Sequence, residues 1–285
     1  MKNDKVLYAF FLIVILFTIG TIASGQDVKK DLKVAKKADR HLQPNALELY
    51  QKVLDSPNFK TLMLVDQLEV YDRLAGLYFS GRNYQQAENN NMKAIEMREK
   101  HWSNSQISAS DRAYFSLTGI FYEQSLSYLG RAQLQLKKYE DARRNLTRAL
   151  EINEKFNSSD DLRFQGLAAI AKSYYQQGKY AEAKPYYVRA IAAPFYETHF
   201  ETSDVVCDLA NINREEGLFA IAELQYQRAI RIMEWYEKDS KGVLVFDNVA
   251  IRNLREYAKL LRKTDRTEEA IKLEAKANLI ANNWK

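Results

Sequence analysis

Large, small and polar positions along this chain repeat in a fixed order, and that order predicts pairs of helices. Five segments carry it: a large apolar residue followed at once by a small one, often with an aromatic three positions on. A turn comes next, then alanine, a large residue four later and another alanine three beyond that. The segments read Leu74-Ala75, Tyr78, Tyr84, Ala87, Asn91, Ala94, then Leu129-Gly130, Gln133, Tyr139, Ala142, Leu146, Ala149. The third is Ile170-Ala171, Tyr174, Tyr180, Ala183, Tyr187, Ala190, the fourth Leu209-Ala210, Asn213, Phe219, Ala222, Tyr226, Ala229, and the fifth Tyr257-Ala258, Leu261, Thr267, Ala270, Glu274, Ala277. Small residues such as Gly130, Ala171 and Ala183 let paired helices approach closely, and Tyr174, Tyr180 and Tyr187 fill the grooves so formed. Gly81, Gly178 and Gly217 stand where each first helix must stop.

This order resembles the tetratricopeptide repeat, a unit of two antiparallel helices. The steps between central alanines (Ala87, Ala142, Ala183, Ala222, Ala270) are 55, 41, 39 and 48 residues, against about 34 for the standard unit. The surplus falls in stretches such as Asn153–Arg163 and Ile232–Asn248 and is expected to lengthen second helices and the loops behind them. The run from Gln177 to Ala190, and Tyr257–Lys263 with Glu269-Ala270, resemble the longer-period kinesin-light-chain type. No heptad coiled coil precedes the repeats, so cargo transport is not implied. The expected fold is all-α, an α-α superhelix (a tetratricopeptide solenoid) of about five helix pairs. Residues 45–54 read as the second helix of a degenerate unit whose first helix is the lysine-rich 31–40 stretch, a terminal cap covering 26–67. The repeat domain then spans 68–285, with repeats near 68–101, 123–156, 164–197, 203–236 and 251–284. Trp284 is placed to close the last apolar face, and Ser110-Asp111 to start a long helix into the second repeat.

The first 25 residues stand apart. Lys2 and Lys5 precede an apolar run, Val6–Ile19, and Ala23-Ser24-Gly25 supplies small residues before Gln26. That is the form of a secretory signal peptide, which gives an exported protein: periplasmic, secreted or envelope-associated. Val6–Ala23 is also just long enough to be an uncleaved anchor. An anchored form can carry its repeats on the exported side, or in the cytoplasm as the six basic residues that follow the run (Lys29, Lys30, Lys33, Lys36, Lys37, Arg40) favour.

Composition narrows the function. Glycine (10) and proline (4) are too scarce for a loop-rich or all-β chain. A net charge of +5 over 285 residues is mild, so nucleic acid is not an expected partner. The single cysteine, Cys207, allows no internal disulfide and reads as a packed thiol. His41, His101 and His199 are scattered without metal-ligand spacing, and phosphate loops, nucleophile elbows and paired carboxylate motifs are missing. No cofactor, metal site or catalytic residue is expected, and the chain reads as a non-enzyme. Asn145-Leu146-Thr147 and Asn157-Ser158-Ser159 match the glycosylation triplet, which matters only on a eukaryotic secretory route.

What remains is the row that the repeat resemblance places on the concave inner surface, one and four residues after each small position. It comprises Gly76 and Phe79, Arg131 and Leu134, Lys172 and Tyr175, Asn211 and Arg214, Lys259 and Arg262, with Arg255 one turn earlier. From the second repeat onward it is basic, with no balancing acids on the same positions. It is therefore expected to hold a peptide or partner protein through an acidic or carboxylate-bearing segment, with arginine forks on the carboxylates and apolar contact from Phe79 and Tyr175. The chaperone-type carboxylate clamp is not implied, because Asp72, Gly76, Tyr128, Gln165 and Ala169 occupy its places. A membrane enters only through the N-terminal segment. An adaptor anchored at the membrane is the alternative reading, and nucleic-acid binding a weaker one.

Overall fold

The structure is a computed structural model that describes residues 27–102, 109–156, 159–192, 201–239 and 247–282. The export or anchor segment, Trp284, His199 and Asn157-Ser158 lie outside them. Among the described residues the chain forms twelve α-helices and one 3-10 turn, with no strand. In order these are α1 (27–40), α2 (Ala46–Leu54), the 3-10 turn Phe59–Thr61, α3 (Leu64–Ser80), α4 (Tyr84–Trp102) and α5 (Ala109–Gln135). Then come α6 (Tyr139–Phe156), α7 (Asp160–Tyr175), α8 (Tyr180–Ile191), α9 (Thr202–Glu215), α10 (Phe219–Asp239), α11 (Asp247–Lys263) and α12 (Thr267–Asn282). The chain divides into two compact units, Met1–Leu136 and Lys137–Lys285. The division falls in the turn between the two helices of the second repeat.

Inside each unit, consecutive helices pack on one another, and the small positions explain how. Ala75, Ala87, Ala94, Ala142, Ala171, Ala183, Ala190, Ala210, Ala222, Ala229, Ala258, Ala270 and Ala277 are all fully buried. A side chain larger than a methyl there would push paired helices apart, at about 1–3 kcal/mol for an overpacked site. In the first unit, α1 buries Val28, Leu32 and Ala35 against Tyr50 and Val53 of α2 and Val70 and Leu74 of α3. The lysines of α1 thus ride on an amphipathic cap helix. In the second unit, Val206, Ala210, Ala222, Tyr226, Tyr257 and Leu261 belong to one continuous core across α9, α10 and α11. Of the three tyrosines expected to fill grooves, Tyr187 is fully buried, whereas Tyr180 at the start of α8 is 38% exposed.

The extra length of the second repeat goes partly into its first helix. No proline interrupts residues 109–135, and α5 runs for 27 residues. The helix turns are built alike. Two residues before each second helix, one residue takes a left-handed conformation: Arg82 (φ 60°), Lys137 (59°), Gly178 (71°), Gly217 (79°) and Asp265 (60°). A backbone N–H one residue on then reaches back five residues, as from Asn83 to Tyr78 O (2.8 Å), Lys179 to Tyr174 O (3.0 Å), Leu218 to Asn213 O (2.8 Å) and Arg266 to Leu261 O (2.8 Å). These bonds satisfy carbonyls that the helix end leaves without partners. Gly81 is not the left-handed residue of its turn: its φ is −77°, and Arg82 takes that conformation instead.

Candidate functional site

In the first unit, α3 and α5 face one another across a cavity of about 680 Å³, within the range of ligand-binding clefts. Gly76, Leu77, Phe79 and Ser80 of α3 form one side, and Phe121, Gln124, Ser125 and Tyr128 of α5 the other. The sequence-derived positions Gly76 and Phe79 thus sit on a real concavity. Phe79 packs edge-on against Tyr84 (5.4 Å between centroids) and lies 6.4 Å from Tyr128. The Arg131 guanidinium stands 5.2 Å over the Phe79 ring and 6.0 Å from that of Tyr128, a geometry in which the ring face attracts the cation. Leu134, the second inner-row position of that repeat, is instead 5% exposed and belongs to the core.

The deep wall of the cavity is charged. Arg98, 2% exposed, grips both carboxylate oxygens of Asp72 (3.1 and 2.5 Å) and donates to Ser125 Oγ (3.0 Å). Ser125 in turn donates to Asp72 (2.9 Å). A forked pair of this kind fixes both partners as well as joining them. Asp39 of α1 and Glu69 of α3 also line the cavity, near Arg73 (3.4 Å from Asp39) and Lys36 (2.8 Å from Glu69).

The second unit treats its inner row differently. Lys172 donates to Asp208 (2.7 Å) and Asp204 (3.3 Å), both on α9. Arg252 of α11 meets the same two acids (3.0 and 2.6 Å), and the Tyr187 hydroxyl donates to Asp208 (2.7 Å). Asp208 is 1% exposed. Burial alone would raise its pKa, but Lys172 and Arg252 outweigh that and hold the carboxyl below its usual range. Lys172 is likewise raised: desolvation pulls it down, and Asp208 and Asp204 more than offset the pull.

The row continues through hydrogen bonds. Asn211 donates to the Tyr175 hydroxyl (2.9 Å) and accepts from Tyr226 (2.6 Å), whose hydroxyl receives Arg214 (3.0 Å). Arg214 also binds the Glu256 carboxylate (2.9 Å), as does Lys259 (2.6 Å). Arg255 and Arg262 turn toward α12 instead, to Asn278 (3.2 Å) and as a fork to Glu274 (3.0 and 2.7 Å).

Two results bear on the expected basic groove. First, the predicted positions do lie side by side: Phe79 meets Arg131 and Tyr175 meets Asn211, each pair joining neighbouring repeats. Second, the row is not basic without opposition. Asp208 and Glu256, each two residues before the small position of its repeat, reach cations of the preceding repeat. Reading only the positions after the small residue misses them. Spacing offers the signal, because an acid at the minus-two position of one repeat faces the plus-one or plus-four position of the one before. Arg252 and Tyr187 were not legible in the same way. Cys207 is fully buried, and that burial pushes its thiol up to about 12, as expected of a packed cysteine. Among the described residues, no group of three or more His, Cys, Asp or Glu is arranged to hold a metal ion, and no helix is long and apolar enough to cross a membrane.

Residues 121–194 match the tetratricopeptide repeat family model. A sequence search against curated proteins finds no match. Among solved structures, BtubC (BKLC) from P. vanneervenii superposes with a TM-score of 0.60 at 13% identity, over 90% of this chain and 92% of that one. The nearly identical tetratricopeptide-like repeats of a putative kinesin light chain from Podospora anserina give 0.52 at 17% identity, over 75% and 98%. A Rap protein complexed with competence and sporulation factor gives 0.53 at 18%, over 84% and 69%. Residues 121–194 are thus similar to tetratricopeptide repeats, and the helix pairs of this chain share the fold of these solved repeat proteins.

Proposed function

We propose that this chain is a non-catalytic scaffold that holds a segment of another protein against the first helices of its repeats. The observation that carries the reading is the cavity between α3 and α5: it is of ligand size and bounded by half-buried aromatics of two successive first helices. The Rap protein of the same fold, solved in complex with competence and sporulation factor, is consistent with such a use. The N-terminal apolar segment supports an exported or envelope-associated location, the repeats being released by cleavage before Gln26. Its length and the basic residues after it support the second reading, an anchored adaptor with cytoplasmic repeats.

An acid-seeking groove through the second unit has less support than the row of cations suggests, because Lys172, Arg214, Lys259 and Arg262 each contact a carboxylate of the chain itself. The test is cross-linked capture of partner proteins by the full-length chain and by Gly76→Trp. A Cβ added at Gly76 meets nothing within 4 Å, so a side chain there starts in open space on the cavity wall and a tryptophan is the residue chosen to fill it. Capture lost in the variant with helicity intact supports the reading; capture unchanged moves the binding surface elsewhere. Intact mass of the mature protein decides between cleavage and anchor.

A further inference from the structure

The outer face of α1 carries charge that the fold does not use. Its apolar side, Val28, Leu32 and Ala35, is buried on α2 and α3. Its half-buried acids are taken up inside the cap, where Asp31 meets Lys52 (3.1 Å) and Asp39 meets Arg73 (3.4 Å). Lys36 is held by Asp66 (2.9 Å) and Glu69 (2.8 Å) of α3. What remains outward is Lys29, Lys30, Lys33, Lys37 and Arg40, all exposed, with Val34 (47% exposed) among them. At helical spacing these positions share one face, opposite the buried residues. Asp27, the one exposed acid of α1, stands at its first position, where a carboxylate complements the helix dipole. Among the described residues, none of the four outward lysines meets a carboxylate, whereas the exposed Lys93, Lys259 and Lys276 meet Glu96, Glu256 and Glu234.

The turn after α1 adds an apolar residue to this basic face. Leu42 takes a left-handed backbone (φ 50°) with its side chain 90% exposed. At the helix turns described above, the left-handed residue is a glycine or a charged residue: Arg82, Lys137, Gly178, Gly217 or Asp265. A leucine there costs backbone strain and leaves its side chain in water; contact with an apolar phase offsets the second cost. In the sequence the apolar run Val6–Ala23 ends just before α1 begins at residue 27. A basic helix face directly after an apolar run, followed by an exposed leucine, has the composition of a segment that lies at a lipid interface.

We propose that α1 lies along an anionic lipid surface, with its outward lysines on the phosphate headgroups and Leu42 at the edge of the acyl region. The charge of the face supplies the complementarity, and the apolar run beside it supplies the proximity. The face is the same whether that run is kept or cleaved. The inference therefore goes beyond the scaffold reading and does not depend on the choice between its two locations.

The test is a lysine footprint of the full-length chain on phosphatidylcholine vesicles with and without phosphatidylglycerol, read by a membrane-impermeant acetylating reagent and mass spectrometry. With phosphatidylglycerol, acetylation of Lys30, Lys33 and Lys37 should slow by about fivefold or more, the factor that one basic residue at an anionic surface contributes. Exposed Lys137, Lys179 and Lys272 of the second unit should keep their rates, and high salt should remove the difference at α1. Lys33→Glu with Lys37→Glu should abolish the slowing at Lys30 at an unchanged melting temperature. Leu42→Asn, which suits the left-handed backbone, should melt no lower than the parent chain and lose part of the slowing. The same rates on both vesicles, equal slowing at the three second-unit lysines, slowing that survives the double charge reversal, or full slowing in Leu42→Asn overturns the proposal. So does equal slowing by duplex DNA in place of vesicles, which would make the face a site for any polyanion.

Discussion

The two compact units use charged residues on their first helices in opposite ways. In the first unit a buried arginine and a half-buried aspartate lock together behind an open cavity of ligand size, lined by aromatic rings and by two carboxylates that meet Arg73 and Lys36. In the second, Lys172, Asp204, Asp208, Arg252 and Tyr187 close on one another, and Tyr175, Asn211, Tyr226, Arg214 and Glu256 carry the chain of contacts onward. The same row of positions therefore lines a cavity in one unit and joins successive repeats in the other.

The largest effect expected from this difference is on the stability of the second unit. Asp208→Ala leaves Lys172 and Arg252 with Asp204 as their one shared acid; removing one partner of a buried ion pair costs about 3–5 kcal/mol. The lower end applies, since Lys172 and Arg252 keep 23% and 31% of their side-chain exposure. Urea unfolding followed by circular dichroism reads it, with Asp208→Asn recovering part of the loss through its amide. A loss below about 1 kcal/mol, the scale of a surface pair, would sink the claim that this network holds the repeats together.

Acid should act on the same network. The Asp208 carboxyl is held below its ordinary range in the folded chain, so its contribution is present above the ordinary carboxylate pKa and is lost as pH falls through the depressed value. Lys172 is raised, so its share is present below the ordinary lysine pKa and is lost only as pH rises through the raised one. Stability from this pair is thus flat from about pH 5 to 9 and falls away outside that window. In Asp208→Asn the acid limb due to this residue should vanish, which a pH series of melting temperatures detects.

Smaller effects belong to the turns and the cavity glycine. Gly178→Ala forces a methyl into a left-handed backbone at φ 71° and should cost about 1 kcal/mol. Asp265→Gly relieves the same strain at φ 60° and is expected to gain about 0.5 kcal/mol. Gly76→Ala, at a helical site with open space around it, should also gain about 0.5–1 kcal/mol, and a loss instead would mean that something presses on α3 there. Smallest of all, Arg255→Ala, whose guanidinium meets only an exposed Asn278 contact among those described, should shift the midpoint by less than about 0.5 kcal/mol.

Much of the fold was legible because the repeat is written in small residues, and small residues are where helices touch. Ala171, Ala183 and Ala190 stand at the small positions of the third repeat, and all three are fully buried. The turns were legible through Gly178 and Gly217. In the first repeat the signal misled by one residue, because arginine pays the left-handed strain at Arg82 beside a glycine that does not need to. The inner row was legible as a row: Tyr175 and Asn211 do meet. Its electrostatics were not, since the acids that hold Lys172 and Arg214 come from the next repeat, 32 to 42 residues away along the chain. Counting charge within one repeat cannot find Asp208 for Lys172. The cavity in the first unit was only half legible: Gly76 and Phe79 were placed on the inner surface, while Phe121 and the Arg98–Asp72 lock depend on packing between helices.

The contrast between the units is tested most directly by following partner capture and melting temperature together in two variants, Gly76→Trp and Lys172→Met. Gly76→Trp should lose capture at an unchanged melting temperature. Lys172→Met should melt lower yet capture normally below its transition. The opposite pattern, with capture surviving the tryptophan and lost on removal of the Lys172 charge in a fully folded protein, would contradict the account.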